Sequence, residues 1–168
     1  VRESDGAKPL RVSHYFARLS QRLINTLTAL TAEGRLYEID MRLRPSGSTG
    51  PVASEIDSFV DYQRQAAWTW EHMALTRARV VAGPKDLVAQ VEAAIADILH
   101  RPRNGEKLLA DVSDMRRRMD AEHHNEIPWK TKYVRGGLVD LEFIAEYLQL
   151  RHGAEHPDAT APNTVEAF

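Results

Sequence analysis

Between residues 12 and 30 the apolar side chains Phe16, Leu19, Leu23, Leu27 and Leu30 recur at helical spacing. Arg18, Gln21, Arg22 and Asn25 fall largely between them, so the stretch predicts an amphipathic helix. Gly34 follows in the right place for a helix stop. The period then changes to two over residues 35–44. Tyr37, Ile39, Met41 and Leu43 would line one face of a strand, with Glu38, Asp40, Arg42 and Arg44 on the other. Pro45-Ser46-Gly47-Ser48-Thr49-Gly50-Pro51 breaks regular structure, and a loop closing a strand is a common place for functional residues.

The remainder reads as helical. Residues 56–67 place Ile56, Phe59, Val60 and Tyr62 near one apolar side. Residues 68–75 suit a helix, whereas residues 76–81 fit helix or strand. Pro84 suits the first turn of a further helix with Leu87, Val91, Ala94, Ile95 and Ile98 as its core stripe, closed by Pro102. Leu108, Leu109, Val112, Met115 and Met119 define the next, with Arg116, Arg117 and Arg118 on its outer side. Residues 123–135 are irregular and polar, Gly136-Gly137 punctuates them, and residues 138–151 form a strong final helix. Asn163-Thr164 followed by apolar residues reads as another helix start. Val1 is no initiator methionine and residues 1–8 are polar, so both ends read as cut. A soft boundary falls near Arg101.

Composition narrows the function classes. The 168 residues are 43% hydrophobic and 27% charged, as in an ordinary soluble globular protein. A formal net charge of -2 argues against a general nucleic-acid binder. The absence of cysteine excludes disulfides, thiolate zinc sites and a cysteine nucleophile. No apolar run approaches the length that spans a bilayer, and the N-terminus is not signal-like. A cytoplasmic location without membrane contact is the expectation.

Asp40, Arg42 and Arg44, with the Ser46-Gly47 turn, form the segment that carries chemistry. A carboxylate between two guanidinium groups has a plain reading, a solvated or ion-paired strand face. The sharper reading is a phosphate-handling surface. Asp40 would offer oxygen to a hard cation, the arginines would fork onto phosphate oxygens, and the turn would add backbone N–H groups. Spacing alone does not separate the two.

A resemblance does. Tyr37-Glu38-Ile39-Asp40-Met41-Arg42-Leu43-Arg44-Pro45-Ser46-Gly47, then Ala67-Trp68-Thr69-Trp70-Glu71-His72 and Arg77-Ala78-Arg79-Val80-Val81-Ala82-Gly83, is similar to glutamate–ammonia-ligase adenylyltransferases. Gln21-Arg22-Leu23-Ile24-Asn25-Thr26-Leu27-Thr28 and Gly136-Gly137-Leu138-Val139-Asp140-Leu141-Glu142-Phe143 resemble the same family. The segment around Asp40 and Trp68-Thr69-Trp70 look more like its C-terminal, adenylylating half.

The resemblance implies an α+β, mostly α-helical chain. Residues 1–100 would be the later part of a polymerase-beta-like nucleotidyltransferase domain, and residues 101–168 the start of an all-helical domain. It implies transfer of AMP from ATP to a tyrosine of glutamine synthetase, with removal of that AMP by phosphorolysis in the full enzyme. Magnesium ions and ATP follow, as do glutamine synthetase and a PII-type signal protein as partners. Asp40 matches the third of three metal-binding, catalytic carboxylates. Arg42, Arg44, Ser46 and Gly47 would meet ATP, and Lys132 matches a family lysine that would reach phosphate. The Gly-Ser-Asp-x-Asp motif supplying the first two carboxylates is missing, since Ser4-Asp5 lacks its glycine and second aspartate. The 168 residues alone are therefore expected to be inactive. The alternative is a non-catalytic helical module binding glutamine synthetase or a PII-type regulator; a related uridylyltransferase fits the Asp40 segment less well.

Other conspicuous residues have plainer readings. Trp68, Trp70 and Tyr62 suit buried packing better than base stacking. Glu71-His72 lacks the second histidine of a zinc-protease helix. Adjacent His123-His124 would be exposed loop residues, and the three arginines from Arg116 a solvated helix face. Gly136-Gly137 ahead of a helix is a weak phosphate-turn signal, and Asp140 is favoured in a first turn by the helix dipole alone.

Overall fold

A computed structural model describes residue 4, residues 8–123 and residues 129–167. Among them, regular structure consists of six α-helices, two short 3-10 turns and one two-stranded antiparallel hairpin. The architecture is α+β and mostly helical, as expected. Contacts divide the chain after Tyr62, ahead of the boundary read near Arg101, into residues 1–62 and residues 63–168. Each unit is described by itself.

In the first unit, helix α1 (Val12–Leu27) follows the predicted apolar stripe. It ends earlier than Gly34. The Thr28 backbone N–H and hydroxyl both donate to the Ile24 carbonyl, at 2.9 and 2.8 Å, which closes the last turn. Strand β1 (Leu30–Thr31) then pairs antiparallel with β2 (Gly34–Arg35). Gly34, at φ 99°, supplies the left-handed step of that hairpin rather than a helix stop. No described residue of this unit is buried, and Phe16, Leu19 and Leu23 on the α1 stripe are about half exposed.

The strand expected over residues 35–44 does not form beyond Arg35. A ladder needs a neighbouring strand, and none lies beside residues 36–44 among the described residues. The local alternative wins. The Asp40 carboxylate accepts the Arg42 backbone N–H at 2.9 Å, a side-chain turn that removes a donor a ladder would use. The glycine-rich stretch after it folds into a 3-10 turn (Gly47–Thr49). Helix α2 (Ile56–Gln65) runs across the division of the chain.

The second unit holds α3 (Thr69–Leu75), α4 (Lys85–Leu99), α5 (Gly105–Glu122), α6 (Leu138–His152) and a 3-10 turn (Pro157–Ala159). Helix α3 packs against α4, α5 and α6, and α5 packs against α6. The buried apolar side chains all belong here: Met73, Leu75, Ile98, Leu99, Leu108, Val112, Val139, Ala145 and Leu150. The ends are capped by side chains. Glu71 accepts the Trp68 N–H at 2.8 Å, and Asn104 accepts the Lys107 N–H at 2.9 Å. Arg103 donates to the Ile98 and Leu99 carbonyls at 2.8 and 2.7 Å, closing α4. Buried Gln149 accepts the Ala161 N–H at 2.9 Å and so holds the segment after α6 in place.

Several expectations are corrected here. Trp68 is 71% exposed and Trp70 40%, so neither ring is core. Helix α3 is two turns long, and Glu71, Met73 and Leu75 take its inner face. Leu109 is half exposed because Leu108 and Val112 point inward instead. Residues 77–81 are neither helix nor strand. Arg116 is no solvated outer residue: it pairs with Asp140 and with Asp120, at 3.5 Å in the latter case. His123 is an exposed bend residue, as expected, and its ring stacks on Tyr133 with ring centres 4.3 Å apart, whereas His124 lies outside the described residues. At the other end, Asn163 begins a hydrogen-bonded turn through Ala167.

Helix α6 buries an ionisable group. Glu146 is only 8% exposed, and burial pushes its carboxyl up to about 7 from the ordinary 4.5. The Arg77 guanidinium pulls the other way and Glu142 adds to the rise, but burial dominates. Below pH 4.5 the group is protonated both folded and unfolded, and there is no penalty. Between 4.5 and 7 only the unfolded chain ionises, so stability falls as pH rises, and above 7 the penalty is complete. Its size is on the order of 2–3 kcal/mol. Relative to Glu146→Gln, the wild-type chain is expected to lose that much stability between about pH 5 and pH 8. Urea unfolding followed by tryptophan fluorescence reads this, since all three tryptophans lie in the second unit. Parallel pH profiles would refute it.

Candidate functional site

The residues expected to carry chemistry in the first unit share one exposed loop. Asp40 sits at its start, and its carboxylate is filled by Arg42. The guanidinium donates through Nε to Oδ2 at 2.9 Å and through Nη2 to the same oxygen at 2.6 Å, while the backbone N–H takes Oδ1. These hydrogen bonds hold the Asp40 carboxyl down at about 2, below its ordinary 3.8. Asp40 is therefore anionic at any physiological pH, with its charge already matched by a neighbour two residues away.

Arg44 does something different. Its guanidinium donates to three backbone carbonyls: Met41 at 2.6 Å, Gly50 and Ser48 at 3.1 Å. It stitches the loop closed. Ser46 and Gly47 take consecutive left-handed conformations, φ 61° and 55°. The Gly47 N–H donates to the Arg44 carbonyl at 2.8 Å. Gly50 approaches the Pro45 carbonyl so closely that a Cβ would collide with it. Expected as anion donors, the Arg44 guanidinium and the Gly47 N–H are instead engaged with the loop's own carbonyls. Arg44→Lys keeps the charge but cannot reach three carbonyls at once. It is expected to open this loop, read as roughly a tenfold or greater rise in amide exchange over residues 41–50, with the unfolding of the second unit unchanged.

Lys132 lies in the second unit. It is exposed, with its ammonium 5.1 Å from the centre of the Tyr133 ring. The turn that follows is not an open phosphate cradle. The N–H groups of Gly137, Leu138, Val139 and Asp140 donate to the carbonyls of Val134, Thr131, Lys132 and Gly137. Asp140 accepts the Gly136 N–H at 2.6 Å through Oδ2 and pairs with Arg116 through Oδ1. A Cβ on Gly137 would run into the Thr131 and Val134 carbonyl oxygens, so this glycine serves close backbone packing.

Two charge clusters were not anticipated. One joins Arg116, Asp120, Arg135 and Asp140 beside a recess of about 310 Å³ that Arg117 and Phe143 also line. The other joins Arg77 to Glu142 at 2.9 Å, with buried Glu146 one turn further along α6. The four-residue spacing of Glu142 and Glu146 was the available signal for the second. In the first, only the Arg116–Asp120 spacing on α5 could have signalled a pair, because Arg135 and Asp140 come from outside that helix.

The expected function calls for magnesium, and the described residues do not fit it. Asp40 is one carboxylate with both oxygens engaged, and an ion that wants about six oxygens needs more. No group of three histidine, aspartate or glutamate side chains suited to a metal occurs among the described residues.

Comparison with known proteins defines the family. The sequence pattern of the glutamate-ammonia ligase adenylyltransferases matches residues 1–94. The bifunctional glutamine synthetase adenylyltransferase/adenylyl-removing enzyme of Rhodopseudomonas palustris (strain TIE-1) is 50% identical over 166 residues, which is 99% of this chain and 17% of that protein. The enzymes of the same name from Bradyrhizobium sp. (strain ORS 278) and Agrobacterium fabrum (strain C58) are 53% and 52% identical, over 93% and 100% of this chain. The chain thus spans about 16–17% of the length of these relatives. With more than half of its length matching the family pattern, the chain belongs to the glutamate-ammonia ligase adenylyltransferase family.

Proposed function

We propose that these 168 residues are part of a longer ATP-dependent enzyme that transfers AMP to a tyrosine of glutamine synthetase and, in its whole form, removes it by phosphorolysis. The observation that carries this reading is 50% identity across 99% of the chain to an enzyme named for those two activities. The segment belongs to the C-terminal, adenylylating half. Residues 1–100 are the later part of a polymerase-beta-like nucleotidyltransferase domain, and residues 101–168 begin a helical one. A PII-type signal protein is a regulatory partner, and the enzyme is cytoplasmic.

In the reaction the tyrosine oxygen bonds to the α-phosphorus of ATP, the bond to pyrophosphate breaks, and the hydroxyl proton leaves. Asp40 contributes its permanently ionised carboxylate to that centre. Arg42 is the adjacent cation, freed for ATP when Asp40 exchanges its guanidinium for the assembled site. Arg44, Ser46 and Gly47 hold the loop that presents this pair, and Lys132 adds a further positive charge toward phosphate. A magnesium ion would take most of its ligands from outside these 168 residues.

A second reading has one observation in its favour. The second unit has its own buried core and capped helices, whereas the first has no buried residue among those described. A helical module binding glutamine synthetase or a PII-type protein would need only the second unit.

Transfer of radiolabelled AMP onto glutamine synthetase separates the readings. The full-length enzyme is expected to label it with ATP and not with UTP. The 168-residue chain is expected to give no label above background while still folding its second unit. Full-length protein that binds glutamine synthetase without labelling it would favour the module.

A further inference from the structure

A carboxylate in the first turn of a helix is favoured by the helix dipole alone, but Asp140 at the start of α6 is tied into a network. Its partner is Arg116 on α5, and both side chains are part-buried. Every nitrogen of the guanidinium is engaged. Nε donates to Asp140 Oδ1, Nη2 donates to the Tyr133 carbonyl at 3.1 Å, and Nη1 pairs with Asp120 at 3.5 Å. The second oxygen of Asp140 accepts the Gly136 N–H at 2.6 Å. Such a pair adds little net stability, because the cost of leaving water offsets the attraction. What a satisfied polar network does fix is a single geometry.

The geometry fixed here is that of the turn over residues 131–137. Arg116 holds the Tyr133 carbonyl and Asp140 holds the Gly136 N–H. The start of α6 holds the rest, since Leu138 donates to the Thr131 carbonyl at 3.0 Å and Val139 to the Lys132 carbonyl at 3.1 Å. The backbone of Lys132 is therefore gripped at its own carbonyl and at the next one. Its side chain is treated in the opposite way. Lys132 is exposed and pairs with no carboxylate among the described residues, whereas Arg116, Arg117 and Arg135 each pair with an aspartate. Its ammonium lies 5.1 Å from the centre of the Tyr133 ring, which His123 stacks against. An anchored backbone carrying an unpaired cation is a preorganised donor for an anion.

We propose that Arg116 and Asp140 are positioning residues for AMP transfer, fixing the turn over residues 131–137 so that Lys132 presents its ammonium to the phosphates of ATP. This rests on the chain being part of an AMP-transferring enzyme in which Lys132 meets phosphate, as proposed above. Arg116 and Asp140 act through the turn, with their own hydrogen bonds made inside the protein.

The test uses the full-length enzyme, with AMP transfer to glutamine synthetase measured against ATP concentration. Lys132→Met is expected to raise the KM for ATP roughly tenfold while changing kcat less, the effect of losing a charged hydrogen bond to phosphate. Lys130→Met, which removes a positive charge two residues away, is expected to leave KM within about twofold. Asp140→Asn keeps the shape and loses the charge, and Arg116→Lys keeps the charge but cannot bond Asp140, Asp120 and the Tyr133 carbonyl together. Each is expected to raise KM roughly fivefold, with faster amide exchange over residues 131–137. A purely structural fault would thin the folded population, lowering the apparent kcat and leaving KM alone. Lys132→Met combined with Asp140→Asn decides between the two. Acting through Lys132, the Asp140 change leaves KM within about twofold of Lys132→Met alone, whereas independent effects multiply to roughly fiftyfold. Multiplication overturns the proposal. So does an unchanged KM for Asp140→Asn and Arg116→Lys in an enzyme where Lys132→Met raises it, and both results leave the proposed function standing. An unchanged KM for Lys132→Met, or an equal rise for Lys130→Met, ends the role of Lys132 and this inference with it. Failure of the wild-type enzyme to transfer AMP removes the proposed function itself.

Discussion

Asp40→Ala in the full-length enzyme is expected to lower the turnover of AMP transfer by on the order of a thousandfold or more, the range seen when a positioned acid–base or charge-bearing group is lost. Over residues 40–50 Asp40 is the only acidic side chain, set beside Arg42 and Arg44. Its carboxyl is held at about 2, so at working pH it acts as a fixed negative charge. Asp40→Asn tests that point, since it keeps the shape and removes the charge. It is expected to lose nearly as much activity as Asp40→Ala. Neither change should disturb folding. The Asp40–Arg42 pair is exposed, and exposed pairs contribute little to stability. The tryptophan-monitored melt of the second unit should therefore coincide with wild type. Turnover within about threefold of wild type for both variants would end the assignment of Asp40.

The second large effect is on stability. Leu150→Ala and Ile98→Ala are each expected to destabilise the second unit by about 3–4 kcal/mol. Both side chains are 1% exposed, Ile98 at the end of α4 and Leu150 near the end of α6. Both belong to the buried core of the second unit, and a close-packed core relaxes only partly into a void. The same truncation on α1 is expected to cost under about 1 kcal/mol in this chain, because Leu23 is 59% exposed and leaves little cavity. Urea titrations of the three variants, with the two units followed separately by amide exchange, distinguish these outcomes. Equal losses for Leu23→Ala and Leu150→Ala would contradict the placement of the core in the second unit.

These expectations differ in where they come from. Helices were legible wherever a wide apolar stripe recurred over three or more turns, and α1, α4, α5 and α6 begin close to where the period starts. Turn chemistry was legible too, in the breaks over residues 45–51 and at Gly136-Gly137, because proline and glycine act locally. Membership of the family was legible from five separated segments in order, and it did not depend on any contact.

The strand through Asp40 was not legible, because alternation describes which faces a strand would have and not whether a neighbour exists to pair with it. Without one, the Asp40 carboxylate took the Arg42 backbone N–H and the segment became a loop. The roles of Arg44 and Arg116 turned on the same limit. A sequence shows a charge, whereas only the fold shows whether that charge meets solvent, a set of carbonyls or a carboxylate from another element. Trp68 is exposed against expectation, and Glu146 is buried, for a related reason. Burial is decided by which helix face meets a partner, and α3 and α6 meet theirs through Glu71, Met73, Glu146 and Gln149 as well as through aliphatic side chains. Local patterns therefore set the helices, the breaks and the family. Pairing, burial and the partners of each charge are non-local quantities, and the tertiary structure alone decided them.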